Sequence, residues 1–191
     1  ISLQGPDARN ILKKLAGPEI AKLDYLHFAP GLIAGVPVTI SRTGYTGELG
    51  YEIFYFAATA TEQDTEKIWQ QLIDQGASPC GLGARDILRL EMKYPLYGND
   101  IDQATNPLEA GLGWAVKLEK RDFVGKNILT QVKQAGLSRK LVGLEMASRQ
   151  VPRHGFPIID QAQQPVGVVT SGTFSPALAK SIALGYVSSS Q

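Results

Sequence analysis

Apolar and polar positions alternate from the first residue, and Ile1-Ser2-Leu3-Gln4 reads as a short strand. Gly5-Pro6 then opens a helix with proline in its first turn. Ala8, Ile11, Leu12 and Leu15 follow at helical spacing, and Gly17-Pro18 ends it. Ile33–Ser41 and Tyr51–Phe56 are β-rich runs. The glycine-rich stretch Arg42-Thr43-Gly44-Tyr45-Thr46-Gly47-Glu48-Leu49-Gly50 between them reads as the connection of a hairpin. Thr61 caps a helix with acidic residues in its first turn. Ile68, Trp69, Leu72 and Ile73 form its apolar face, and Gly76 stops it. A further helix runs from Ala84 to about Tyr94. Asn99–Pro107 is a polar loop, Trp114–Leu118 reads as a strand, and Gly125–Gln134 as a helix. From there the period changes. Lys140–Met146, Pro157–Asp160, Val166–Thr170 and Ser181–Val187 are short β-rich runs punctuated by Gly, Pro and Ser, the pattern of a small sandwich or barrel. The fold class is α+β, with a middle region over residues 1–136 and a β-rich lobe over 137–191.

Composition narrows the function classes. The chain is 43% hydrophobic and 19% charged, which suits a folded protein and not a disordered one. With a net charge of +1 and no run of five basic residues, it lacks the footprint of a nucleic-acid binder. No apolar stretch nears the roughly 20 residues that span a bilayer. Cys80 is the single cysteine, so no internal disulfide forms and a reducing compartment fits. His27 and His154 are the only histidines, too few for a His-based zinc site. The absence of an initiator Met, and strands lying at both ends, suggest a piece of a longer protein.

Two positions stand out chemically. Arg85 and Arg89 share a helix face at i and i+4, a repulsive spacing unless anions answer it. Asp86 can pair with Arg89, whereas Arg85 has no partner at helical spacing and is available to a carboxylate, internal or from a ligand. Glu52 shares a strand face with Phe54 and Phe56. An acid beside aromatics suits a heterocycle with an N–H and an NH₂ side by side, as on the pterin edge of folate. A structural ion pair for Arg85 and a solvated edge-strand acid for Glu52 are the competing readings. Glu91, on the apolar stripe of its helix, reads as structural, capping a neighbouring loop. Ser171-Gly172-Thr173-Phe174-Ser175-Pro176 lacks a G-x-S-x-G nucleophile elbow and reads as a turn between strands. His154 reads as surface-exposed.

Several stretches together resemble the glycine cleavage T protein (aminomethyltransferase) family. They are Ser41 through Ile53, Gly81-Leu82-Gly83-Ala84-Arg85-Asp86-Ile87-Leu88-Arg89-Leu90-Glu91, Leu96 through Asp102, Asn106-Pro107, Asp122 through Lys126, and Thr170 through Pro176. The resemblance implies a three-lobed fold with a central folate funnel and a C-terminal β-barrel-like lobe. It implies transfer of a one-carbon unit from the aminomethyl-lipoyl arm of the H protein to tetrahydrofolate, with release of ammonia. By motif, Glu52 and Arg85 become the folate-contacting acid and base. Tyr45 and Tyr94 become lining residues, and Arg153 a candidate interlobe contact. The family's catalytic Asp lies in a region upstream of Ile1, so no catalytic residue and no metal ligand is assigned here, and the piece alone is expected to be inactive. The family's basic C-terminal tail is also missing. Self-association through surface uncovered by truncation is a further expectation. The resemblance implies a cytoplasmic setting, or the mitochondrial matrix in a eukaryote. Related folate-dependent demethylases remain an alternative, as does a non-catalytic folate-binding assembly factor for iron–sulfur enzymes. The latter expects a cysteine motif where this chain has Arg121-Asp122-Phe123-Val124-Gly125-Lys126.

Overall fold

A computed structural model describes residues 1–56 and 61–189. The chain forms two compact units, residues 1–88 and 89–191.

In the first unit, β1 (Ser2–Gln4), β2 (Phe28–Ile33), β3 (Val36–Ser41) and β4 (Gly50–Phe54) make an antiparallel sheet in the order β1-β4-β3-β2. Helix α1 (Ala8–Ala16), the short α2 (Pro18–Ala21) and α3 (Glu62–Asp74) accompany it. Strand alternation sends Leu3, Val36, Val38, Ile40, Tyr51 and Ile53 to one face, where they pack with Ile11, Leu12, Ile68 and Leu72 into a single apolar core. Tyr51 joins that core and donates its hydroxyl proton to the Ala21 carbonyl at 2.7 Å, as a buried phenol must. The opposite face carries the cross-strand row Phe28, Ser41, Glu52, Ser2. Phe28, Leu32 and Phe54 stand exposed in this sheet.

Two elements differ from the sequence reading. The run Ile33–Ser41 is not one strand: Ile33 ends β2, which contains Pro30 and Gly31, and β3 starts at Val36. β2 lies at the sheet edge, where a missing ladder N–H is tolerated. The β2–β3 turn falls at Ala34-Gly35, both with positive φ (54° and 78°), the requirement of a tight hairpin turn. β4 ends at Phe54, two residues early. Helix α3 starts as expected: the Thr61 side chain accepts from the Asp64 N–H, and Asp64 answers the Thr61 N–H in a capping box.

Helix α4 (Leu82–Glu91) contains the division between the units. In the second unit, α5 (Lys126–Ala135) precedes β5 (Arg139–Glu145), β6 (Pro157–Ile159), β7 (Pro165–Ser175) and β8 (Lys180–Ser188). These form an antiparallel sheet in the order β5-β8-β7-β6. Leu90, Leu141, Ile182, Leu184 and Tyr186 make its apolar cluster. Trp114–Leu118 is not a strand. Gly113–Ala115 is a single 3-10 turn, Trp114 is exposed, and its carbonyl accepts from Lys117. The hydroxyl-rich Ser171–Ser175 segment is not a turn but the second half of β7. Its hydroxyls can lie buried because charged side chains satisfy them. Glu91 is structural, as expected, but it does not itself cap a loop: it accepts from Ser175 Oγ at 2.5 Å, and Ser175 Oγ accepts the Leu178 N–H of the β7–β8 turn at 3.0 Å.

Candidate functional site

The first unit contains a cavity of about 540 Å³, a volume ordinary for a small-molecule site. Gln4 from β1, Tyr45 and Thr46 from the β3–β4 connection, Glu52 from β4, Trp69 from α3 and Arg85 from α4 all line it. Three of the four residues singled out in the sequence, Tyr45, Glu52 and Arg85, therefore reach one concavity. Tyr94 belongs to the second unit, in the segment that follows α4. Its N–H donates to the Arg89 carbonyl at 2.8 Å, and its own carbonyl accepts from Arg89 Nη1 at 3.2 Å.

Glu52 is half-buried on the outer sheet face. Its Oε2 accepts a short 2.5 Å hydrogen bond from Thr43 Oγ1. Thr43 Oγ1 also lies 3.0 Å from Ser41 Oγ. A hydroxyl has one proton to give, and the carboxylate is the stronger acceptor, so Ser41 donates to Thr43 and Thr43 to Glu52. This chain of hydroxyls holds the carboxylate through its Oε2, and Glu52 lines the cavity. Arg85 is exposed, and its guanidinium carbon lies 4.5 Å from the centroid of the Tyr45 ring. That cation–π contact is worth about 0.5–1 kcal/mol at an exposed site. A guanidinium stacked on a ring can still offer its N–H edge to a carboxylate. The aromatic neighbours agree with the sequence reading in Tyr45 and differ from it in the others. Tyr45 and Trp69 line the cavity, and Phe54, although on Glu52's face, is not among the lining residues. Gln4, Thr43 and Trp69 were not foreseen. Gln4 acts through contacts with a segment far apart in sequence, Thr43 through hydroxyl contacts within its own hairpin, and Trp69 is a large aromatic on a helix.

Among the described residues no cluster of three or more His, Cys, Asp or Glu side chains is placed to hold a metal ion. No helix there is long and apolar enough to cross a membrane. His154 is exposed, with Nδ1 2.9 Å from the Thr170 carbonyl, and Arg153 beside it is exposed.

An acid fixed by one oxygen, a stacked cation and two aromatic rings around one concavity define a wall suited to a planar, polar small molecule with an anionic end. The particular family follows from comparison. Residues 1–120 match the model of the GCVT N-terminal domain, and residues 139–191 that of the glycine cleavage T-protein C-terminal barrel domain. The chain belongs to the glycine cleavage T-protein family. It is 51% identical over 191 residues to the aminomethyltransferase of Halothermothrix orenii, covering 98% of this chain and 52% of that protein. It is 49% identical over 188 residues to the aminomethyltransferase of Synechococcus elongatus, covering 98% of this chain and 49% of that one. The crystal structure of the glycine cleavage system aminomethyltransferase T from Bartonella henselae superposes with a TM-score of 0.86 at 36% identity, covering 99% of this chain and 51% of that chain. The chain thus spans about half the length of the curated relatives it matches.

Proposed function

We propose that this chain supplies one wall of the folate site of a tetrahydrofolate-dependent aminomethyltransferase, in which the lipoylated H protein of the glycine cleavage system delivers the donor. The observation that carries the reading is the convergence of Glu52, Tyr45 and Arg85 on one cavity of about 540 Å³. Glu52 accepts the paired N–H and NH₂ donors of the pterin. Arg85, held on Tyr45, takes a carboxylate of the glutamyl end. In the transfer, the methylene carbon leaves both the lipoyl sulfur and its amine and bonds to two folate nitrogens. The two protons those nitrogens lose appear on the dihydrolipoyl thiol and on ammonia, so the step is redox-neutral. No residue of this wall is assigned the proton transfer. Residues 1–136 form the folate side and 137–191 the β-rich lobe, and the setting is the cytoplasm. The relatives' shared name, aminomethyltransferase, favours this reading over a demethylase or an assembly factor.

Glu52→Gln in the full-length protein that carries these residues tests it. Hydrogen bonds to charged groups contribute about 1.5–3 kcal/mol each. Tetrahydrofolate binding, read by calorimetry, is therefore expected to weaken about 10- to 100-fold, with little change in melting temperature. Wild-type affinity in that variant would overturn the reading.

A further inference from the structure

Gln4 has a position the site description does not account for. Its side chain lies over two glycines of the β3–β4 connection. A Cβ built on Gly44 would stand 2.0 Å from Gln4 Oε1, and one built on Gly50 would stand 2.0 Å from Oε1 and 2.2 Å from Cδ. Neither glycine has a φ in the left-handed region. What they supply is therefore the missing Cβ, a slot into which one amide fits. Within that slot the Gln4 amide nitrogen lies 3.0 Å from Ser2 Oγ, 3.3 Å from the Thr43 carbonyl and 3.4 Å from the Tyr51 carbonyl. Its carbonyl oxygen accepts from Thr46 Oγ1 at 3.1 Å. One side chain on β1 thus ties both sides of Tyr45: Thr43, which holds Glu52, and Thr46.

We infer that Gln4 is a positioning residue, a clamp that fixes the Thr43–Thr46 turn and so sets the Glu52 carboxylate and the Tyr45–Arg85 stack in one geometry. A free turn of glycine and threonine visits many conformations, and each would carry the Tyr45 ring and the Thr43 hydroxyl with it. Binding to a wall that must first be ordered is weakened by that ordering. The slot also makes the clamp specific. Asn is one carbon too short to place its amide over Gly50, and any side chain at Gly44 displaces the glutamine. The functional part of this inference rests on the folate reading above, while the clamp itself does not.

The test uses the full-length protein that carries these residues, with tetrahydrofolate as the probe. Gln4→Met keeps the volume and removes every hydrogen bond. It is expected to weaken binding about tenfold, equivalent to about 1.4 kcal/mol. Gly44→Ala, which pushes out the same amide, is expected to match it. The double variant should be no weaker than either single one, because the hydrogen bonds that Gly44→Ala would break are already absent in Gln4→Met. Additive losses, or unchanged affinity in Gln4→Met, would overturn the positioning role. A second arm needs no ligand: amide hydrogen exchange of residues 43–48 should quicken in Gln4→Met while the rest of the first unit stays protected. Unchanged exchange there would overturn the clamp. If Glu52→Gln leaves folate affinity intact, the folate reading fails and the exchange arm alone decides the fate of the clamp.

Discussion

Both units bury hydrocarbon, but among the described residues only residues 89–191 bury charged side chains as well. The buried polar and charged side chains Arg89, Asp100, Glu109, Thr170, Ser171, Ser175 and Ser181 all lie in the second unit. At its centre Arg89 donates to Asp100 Oδ2 at 2.6 Å and to Ser171 Oγ at 3.0 Å. Asp100 also accepts from the Leu96 N–H at 2.9 Å and from Thr170 Oγ1, and its own carbonyl accepts from the Tyr186 hydroxyl at 2.9 Å. One ion pair thereby ties the segment after α4 to strands β7 and β8. In the first unit the core is built of hydrophobic side chains, with the Tyr51 hydroxyl bonded inside it to the Ala21 carbonyl, and Glu52 and Arg85 line the cavity instead. The difference separates two uses of the same residue types. Where acid and base are sealed in and fully bonded, they specify packing. Where they are half-exposed and partly bonded, they remain available to a ligand.

The largest effect expected from this contrast is on Asp100. Asp100→Ala strands a fully buried guanidinium, and breaking such a pair costs about 3–5 kcal/mol. Denaturant unfolding should show that loss. Glu52→Gln in the first unit should leave stability nearly unchanged. Should the single variant fail to fold, the paired change Arg89→Met with Asp100→Leu is informative, since replacing both partners by apolar groups is often close to neutral. A cost for Asp100→Ala no larger than that for Glu52→Gln would erase the distinction between the units.

How much of this was legible in the sequence follows the same line. The apolar core of the first unit was readable because its residues repeat locally: Leu12, Ile68, Leu72, Tyr51 and Ile53 fall at helical or strand spacing. The Thr61 cap and the structural role of Glu91 could be read from single residues in context. The polar core of the second unit could not. Arg89 meets Ser171 across 82 positions, and Asp100 meets Thr170 across 70. No periodicity encodes such partners. The hydroxyls that made Ser171–Ser175 look like a turn are strand residues whose polarity answers those distant charges. Arg85 and Arg89 share one helix face, but only three-dimensional packing decides that one is sealed in and the other stacks on Tyr45. The convergence of Glu52 and Arg85 on one cavity was expected from motif. Gln4, which reaches the Thr43 carbonyl across 39 positions, carried no local signal at all.

A middle case grades the contrast. Glu109 is buried, while its partner Arg139 is 42% exposed, with Nε 3.0 Å from Glu109 Oε2. Arg139 also stacks over Tyr186 at 4.4 Å. Burial alone would push the Glu109 carboxyl up. The Arg139 hydrogen bond, the Asn106 N–H and the Arg139 charge outweigh it and hold the carboxyl below its usual range. A folded pKa below the unfolded one stabilises above the unfolded value of 4.5, and that contribution is lost as pH falls through the folded value. Solvent around Arg139 screens the pair, so Arg139→Met is expected to cost about 1–2 kcal/mol near neutral pH, less than Asp100→Ala. Its acid unfolding should begin at higher pH than the wild type's. An acid transition at the same pH would show that Arg139 does not hold the Glu109 proton off.

The smallest effect is expected in the first unit, where the strongly shifted carboxylate is a helix cap and not a core group. Asp64 titrates at about 2 against a usual 3.8. The Thr61 N–H is the largest cause, followed by the Thr61 hydroxyl and then Lys67. The Thr61 N–H and hydroxyl both donate to Asp64 Oδ2 at 2.9 Å, and Lys67 Nζ lies 3.1 Å from Oδ1. The positive end of α3 favours the same ionised form. Because the folded pKa lies below the unfolded one, the cap strengthens the helix above about pH 4 and weakens it as pH falls toward 2. Thr61→Ala removes the hydroxyl but not the backbone donor, so the Asp64 pKa should move only part of the way back. NMR titration of the Asp64 carboxyl reads that shift directly. Amide exchange in the first turn of α3 should quicken between pH 4 and pH 2 without unfolding the sheet. If acid loosened the whole first unit together with this turn, its core would depend on surface charge after all, and the contrast with the second unit would not hold.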